Sequence, residues 1–247
     1  MNVMKLVPLS LLLSVLAFGA VIQAQSTRRP VRPAPNSASV RFESVAVRDT
    51  GVRFPRLTYY KDAKVLETVN QKIDEITADF GCDEETPRTT NSYRVKSEVA
   101  YSTKQIFSIY ASASWFCGGP YPTNDSNISL TFDLKTGKLI EFEDLFQKYE
   151  QNKTEILKVI FAAQLERTAR VVAAGKAKEG TCDGDPNLYS LEHLEDSLFA
   201  FNFSADGLRV QPLWPHVMEA CSERVTVPYI RLKQFAAPEG LLARVIN

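Results

Sequence analysis

Residues 118–146 read GGPYPTNDSNISLTFDLKTGKLIEFEDLF and are the most informative stretch of this chain. Alternating apolar side chains predict a strand over Ile128–Leu134, and Lys135-Thr136-Gly137 has the residues of a tight turn. A second strand over Lys138–Phe142 and a helix start at Glu143–Phe146 are predicted to follow. The segment therefore predicts an antiparallel hairpin that leads into a helix. It contains no combination of residues typical of a catalytic site.

Two long amphipathic helices are predicted on either side of this hairpin. The first covers Lys61–Phe80, and Asp62 can cap its start. Its apolar residues recur at steps of three and four, and they are Leu66, Val69, Ile73, Ile76 and Phe80. The second covers Asn152–Ala174, with Asn152 as N-cap and Glu155 completing a variant capping box. Its expected apolar side consists of Leu157, Phe161, Leu165, Thr168 and Val172.

The remaining strands are also predicted in antiparallel hairpins. Short strands over Val40–Val47 and Val52–Tyr60 come before the first helix, and two long alternating strands follow it. The first of these carries on one face Tyr93, Val95, Val99 and Tyr101, and the second carries Phe107, Ile109, Ala111, Ala113 and Trp115. The later elements are a hairpin of Leu198–Ser204 with Leu208–Leu213, a strand Arg224–Tyr229, and a helical turn Ile230–Phe235 before a loose tail. We therefore predict an α+β fold with antiparallel sheets, each covered by one long helix.

Four segments are predicted along the chain: a signal peptide (1–24), a disordered linker (25–39), and two α+β halves (40–117 and 118–247). Lys5, the apolar run Leu6–Val21 and Ala24 fit the n-region, h-region and cleavage site of a secretory signal. An uncleaved N-terminal anchor is the alternative. We expect an exported mature chain, periplasmic or secreted, that has no membrane span.

The charge balance argues against a nucleic-acid partner. The chain has 29 basic and 29 acidic residues, and residues 1–24 contain one lysine and no acid, so the formal charge without them is −1. A chain this close to neutrality lacks the basic excess that phosphate backbones attract.

The four cysteines, Cys82, Cys117, Cys182 and Cys221, are expected to form two disulfides, because an even count is typical of exported chains. Three pairings are possible. Cys82–Cys117 with Cys182–Cys221 is favoured, since each bridge then stays within one half. Free buried thiols are the alternative, and no two cysteines have the spacing of metal ligands.

Motifs for catalysis, cofactors and metals are missing from the sequence. It has two histidines and no HExxH, no G-x-S-x-G and no phosphate-binding glycine loop. The stretch Cys182–Asn187 begins like a calcium loop, but Leu188 and Leu194 replace the glycine and the terminal acid that such a loop needs. We therefore expect a protein that is not an enzyme and that binds neither cofactor nor metal.

The opening segment, with three other stretches, resembles a domain found in the extracellular part of RsiV-type anti-sigma factors and in the N-terminal region of PdaC-type peptidoglycan deacetylases. The further stretches are Val52–Leu57 followed by Val69–Ile73, Leu198–Val210, and Val225–Tyr229 followed by Leu232. Relatives often have a histidine after the double glycine, where this chain has Pro120-Tyr121. The resemblance implies an exported module, without transmembrane or deacetylase parts, whose ligand is a lysozyme-like protein or peptidoglycan.

Residues of the loop after the double glycine are the predicted binding residues: Tyr121, Asn124 and Asp125, with Trp115 behind them. A loop positioned by a rigid sheet is where recognition usually takes place. Two other functions remain open. A wall hydrolase would need a pair of carboxylates in a cleft, and an assembly protein would need a large exposed apolar patch.

Overall fold

A computed structural model describes residues 39–47, 50–82, 92–117, 124–182 and 185–247. Its strands form three antiparallel sheets: β1 (Val40–Ala46) with β2 (Arg53–Tyr60); β3 (Ser92–Ser102), β4 (Ile106–Phe116), β5 (Asn124–Asp133) and β6 (Lys138–Leu139), in that order; and β7 (Leu198–Phe203), β8 (Leu208–Leu213) and β9 (Val225–Val227). The helices are α1 (Ala63–Thr77), α2 (Tyr149–Ile160), α3 (Ala162–Ala173), α4 (Leu191–Glu195), α5 (His216–Glu219), α6 (Tyr229–Leu232) and α7 (Leu241–Ile246). The predicted α+β class is confirmed.

Helix α1 packs on one face of the four-stranded sheet, as its periodicity predicts. Asp62 accepts the backbone N–H of Val65 at 3.2 Å, a cap that contributes about 1 kcal/mol. The buried face of the helix shares a core with β4, and this core includes Val65, Val69, Ile73, Phe107 and Ile109. The β1–β2 hairpin joins the same core, and Asn70 fixes it to α1 by bonding both the N–H and the carbonyl of Leu57.

A bulge in β3 moves Tyr101 to the face opposite the predicted one. Val99 pairs with Ile109 and Tyr101 pairs with Ser108, so Ala100 is an extra residue in β3. Beyond it the alternation of side chains is shifted by one position, and Tyr101 packs against the second core. The other three residues predicted on this face do pack in the first core: Tyr93, Val95 and Val99. A period-two pattern cannot anticipate the inserted residue.

The predicted second long helix is two helices. Lys148 precedes α2 with a φ of 48°, and Asn152 lies within the helix, where its side chain donates to a carbonyl before it. The chain leaves helical geometry at Phe161, whose φ is −103°, ψ is 23° and side chain is fully buried. The predicted helix Asn152–Ala174 with Asn152 as N-cap is therefore wrong. The predicted apolar side also ends early, because Val172 is 48% exposed.

Asn202 on β7 joins the third sheet to the face of the four-stranded sheet that α1 leaves open. Its Nδ2 donates to Ser108 Oγ at 3.1 Å and to the Ile109 carbonyl at 2.7 Å. Its Oδ1 accepts from Ser129 Oγ at 2.8 Å, and Ser108 also bonds Thr131. This network closes one end of the face.

The C-terminal segment is docked, and the predicted loose tail is wrong. Leu241 and Leu242 are buried in the second core. On the same helix, α7, Arg244 lies 2.6 Å from a carboxylate oxygen of Asp133 at the end of β5. Helix α7 has only six residues, which is too short for its sequence to show a clear helical periodicity. Its tertiary contacts alone therefore identify the segment as ordered.

Both disulfides have the predicted pairing. Cys82 joins Cys117 and Cys182 joins Cys221, with Cα atoms 5.2 and 4.9 Å apart. Two disulfides in one chain are typical of an oxidising environment outside the cytosol. The predicted signal peptide and nearly all of the predicted linker lie outside the described residues, and no helix within the described ranges is long and apolar enough to span a membrane.

The predicted segment boundaries stay predictions. The strand after the boundary at 117/118, β5, pairs with β4 from Ile106–Asp133 to Trp115–Asn124. The four-stranded sheet therefore contains strands from both predicted halves.

Candidate functional site

The face of the four-stranded sheet opposite α1 carries polar side chains in register across three strands. Cross-strand pairing gives the rows Arg94–Ser114–Asp125, Lys96–Ser112–Asn127 and Glu98–Tyr110–Ser129. These residues share a face because successive side chains of a strand alternate in direction. Serines on the middle strand keep the floor low, since a hydroxymethyl group rises little above the backbone.

A cleft of about 540 Å³ lies over the first two rows and is closed by Glu219 and Ala220 at the end of α5. A neighbouring recess of about 450 Å³ shares Asp125 and Glu219 and adds the apolar residues Leu213 and Pro215. Together they are called the sheet cleft below, with the lining residues Arg94, Lys96, Ser112, Ala113, Ser114, Trp115, Asp125, Ser126, Asn127, Leu213, Trp214, Pro215, Glu219 and Ala220.

The outer wall of the sheet cleft, residues 214–224, is held on the sheet by a chain of contacts. Asn127 Nδ2 donates to Glu219 Oε1 at 2.7 Å, and Tyr110 Oη donates to Asn127 Oδ1 at 2.6 Å. The guanidinium of Arg224 lies 4.2 Å from the centre of the Tyr110 ring. The Cys182–Cys221 disulfide also restrains this segment. A wall fixed in this way loses little conformational entropy when a ligand binds.

Charges in the sheet cleft are separated by strand. The cations Arg94 and Lys96 are on β3, whereas the carboxylate of Asp125 is on β5, two strands or about 10 Å away between Cα atoms. All three side chains are exposed, and none forms an ion pair with another described residue. Burial raises the pKa of Tyr110, in the next row of the same face, and Arg224 offsets only part of that rise. Tyr110 therefore stays a neutral donor to Asn127.

The structure brings together only part of the predicted binding site. Asp125 borders both parts of the sheet cleft. Trp115 borders the smaller recess, but its ring contacts that of Tyr93 in a tilted arrangement, at 5.9 Å between centroids, on the face that carries α1. Asn124 pairs with Trp115 at the start of β5. The Asn124 side chain and the whole of Tyr121 lie outside the described residues, so the binding role of these four residues stays a prediction.

Sequence reasoning missed the cations and the acidic wall. The alternation of Arg94, Lys96 and Glu98 with residues that are apolar except for Ser97 was a signal for one polar face on β3. It does not say that this face borders a cleft. Glu219 had no local signal, because its place opposite β5 results from tertiary packing alone.

No group of three or more His, Cys, Asp or Glu side chains is arranged to hold a metal within the ranges that the structure describes. In the stretch that begins like a calcium loop, Asp183 and Gly184 lie outside those ranges. The carboxylate of Asp185 accepts the backbone N–H groups of Gly180 and Asn187 at 3.0 and 2.9 Å. These bonds lower the pKa of Asp185, and they indicate that its carboxylate stabilises the loop to which it belongs.

Neither a family model nor a curated protein sequence matches this chain. Among solved structures, a DUF3298 family member from Bacteroides fragilis NCTC 9343 aligns over 85% of this chain and 98% of its own, with 13% identity and a TM-score of 0.53. A DUF3298 family protein from Pseudomonas aeruginosa PAO1 aligns over 84% and 96%, with 12% identity and a TM-score of 0.45. The first of these shows a shared fold with a family of unknown function. The resemblance to anti-sigma factor and deacetylase domains stays a prediction.

Proposed function

We propose that this chain is a non-catalytic binding module of the cell envelope, and that its ligand is a peptidoglycan fragment bound in the sheet cleft. The observation that carries the proposal is a concave, preformed site of about 540 Å³ on a disulfide-bonded scaffold. This volume lies within the range of about 300–1,000 Å³ that is usual for small-ligand sites.

The lining of the sheet cleft favours peptidoglycan over a lysozyme-like protein. Its floor offers hydroxyl groups from Ser112 and Ser114 and an amide from Asn127, with charged groups on both sides. Sugars with acetamido groups and attached peptides present matching donors and acceptors. A protein partner needs about 800 Å² of contact on each side, which a surface of this concave shape does not readily supply.

Calorimetry with a soluble peptidoglycan fragment and, separately, with a lysozyme tests the proposal. We expect saturable binding of the fragment and none of the lysozyme. Asp125→Ala should weaken that binding without lowering the melting temperature, because Asp125 is exposed and makes no ion pair within the described chain. Asp79→Ala removes an exposed carboxylate that follows α1 and is the matched control. Absence of fragment binding, or equal losses in both variants, would overturn the proposal.

A wall hydrolase is the second candidate, because Asp125 and Glu219 border the same cleft. Glycosidases use two carboxylates about 5–9.5 Å apart, one of them as a proton donor. Here Asp125 is exposed and Glu219 accepts a hydrogen bond from Asn127. We expect the purified protein to leave the turbidity of a cell-wall suspension unchanged. Clearing that Asp125→Asn abolishes would instead support the hydrolase.

A further inference from the structure

The two cations of β3 are arranged for a ligand rather than for a partner within the protein. Arg94 and Lys96 are two positions apart on one strand and on one face, which places their Cα atoms about 6.7 Å from each other. Both border the sheet cleft and both are exposed. Neither forms an ion pair within the described part of the chain, whereas Arg56, Arg167 and Lys138 each have a carboxylate partner there.

The cross-strand neighbours of these cations leave space instead of neutralising them. Arg94 faces Ser114 and Lys96 faces Ser112, although opposite-charge pairs are the stabilising arrangement across strands. In the rows of Arg94 and Lys96 the first carboxylate, Asp125, is a further strand away, and Glu98 lies two positions from Lys96 on the same face of β3. The guanidinium and the ammonium are therefore free to bind an anion that enters over the serine floor.

Protection of an edge strand is the plain explanation for charges on β3, since lysine on an edge deters pairing with another chain. For that explanation, charged side chains on β3 are sufficient. It does not require serines beside both cations or a wall facing them across a cleft, and the sheet cleft has both. The combination of unpaired cations, a low floor and a fixed wall is what a site for an anionic ligand needs.

We propose that Arg94 and Lys96 bind the carboxylate groups of the peptide stem of a peptidoglycan fragment, so that the peptide and not the sugar chain determines specificity. This inference rests on the proposed function. The guanidinium fork can take a carboxylate in a bidentate manner, and the ammonium adds a second charge-assisted bond. Asp125, on the opposite strand of the same cleft, then faces the amide and amino groups of the same stem.

Calorimetry with two fragments that share the same disaccharide, one with its peptide stem and one without, tests this inference. We expect the peptide-bearing fragment to bind about tenfold more tightly, as two partly solvated charge contacts would give. The variant R94Q/K96Q should reduce that advantage to less than about threefold, and raised salt should do the same to the wild type. The control K61Q/K64Q removes the same charge next to and within α1, on the other side of the sheet, and should keep the full advantage.

The outcomes separate this inference from the function on which it rests. Equal binding of both fragments by the wild type would overturn the role of the peptide stem and leave the proposed function in place. A peptide preference that survives in R94Q/K96Q would overturn the assignment to these two residues. Binding of neither fragment would overturn both proposals. An unchanged melting temperature in R94Q/K96Q confirms that a loss of preference is not a loss of fold.

Discussion

Replacing Asn202 with alanine should destabilise the protein by about 3 kcal/mol, because this side chain joins two sheets. It is 1% exposed and makes three hydrogen bonds, to Ser108, Ile109 and Ser129. A typical buried hydrogen bond contributes about 1 kcal/mol net, and three of them give this figure. Ser108 keeps its bond to Thr131 at 2.8 Å, so its hydroxyl is not left unpaired. The loss is a large part of a total stability of about 5–15 kcal/mol.

Urea unfolding of the oxidised protein measures this loss. With a slope of about 2 kcal/mol/M, the midpoint of Asn202→Ala should fall by about 1.5 M. Asn152→Ala is the matched control, because this amide is partly exposed and donates one bond, to a backbone carbonyl at 3.0 Å. It should cost less than about 1 kcal/mol.

Asn202→Asp sharpens the test without changing the size of the side chain. A carboxylate can only accept, so it would face the Ile109 carbonyl, which now receives a bond from Asn202 at 2.7 Å. Folding then raises the pKa of the introduced acid, and the destabilisation should grow as pH rises above about 4. A loss below 1 kcal/mol in Asn202→Ala, or a pH-independent loss in Asn202→Asp, would refute the reasoning and indicate that apolar packing alone holds the two sheets together.

Two further predictions concern the outer wall of the sheet cleft. The variant C182S/C221S opens a loop with a sequence separation of 39, and it should lose about 4 kcal/mol of stability by the loop-entropy model. Its affinity for a peptidoglycan fragment should also fall. An unchanged affinity in calorimetry would contradict the role of the disulfide in holding the wall. Burial raises the pKa of Tyr189 to about 12 from 10.0, and its hydroxyl bonds the carbonyl of Cys221 and the N–H of Glu223. As pH rises, Tyr189 loses its proton in the unfolded chain before it does so in the folded protein. Its contribution to the free energy of unfolding should therefore be complete below about pH 10 and be lost towards pH 12. Tyr189→Phe should remove this contribution from the pH dependence of the urea midpoint, and an unaltered pH dependence would contradict the role of Tyr189.

The sequence by itself was enough for the elements whose signal is local. The periodicity of α1, with Asp62 as its cap, predicts a helix that the structure confirms, apart from its last turn. The hairpins and the α+β class follow from alternation and turn residues in the same way, although the strand predicted over Lys138–Phe142 ends at Leu139. The disulfide pairing was also correct, because bridges between cysteines close in the chain were the ones favoured.

Tertiary structure decided the features that depend on what covers a face. Ala100 shifts the register of β3 and sends Tyr101 to the second core. The chain leaves helical geometry at the buried Phe161, within a helix that periodicity predicted as continuous. The candidate site belongs to the same class: Arg94 and Glu219 become walls of one cleft only when α5 packs over β5. A sequence pattern reports which side of a strand or helix is apolar, because that property is local. It does not report which distant segment packs there, since that contact is selected by the free energy of the whole fold.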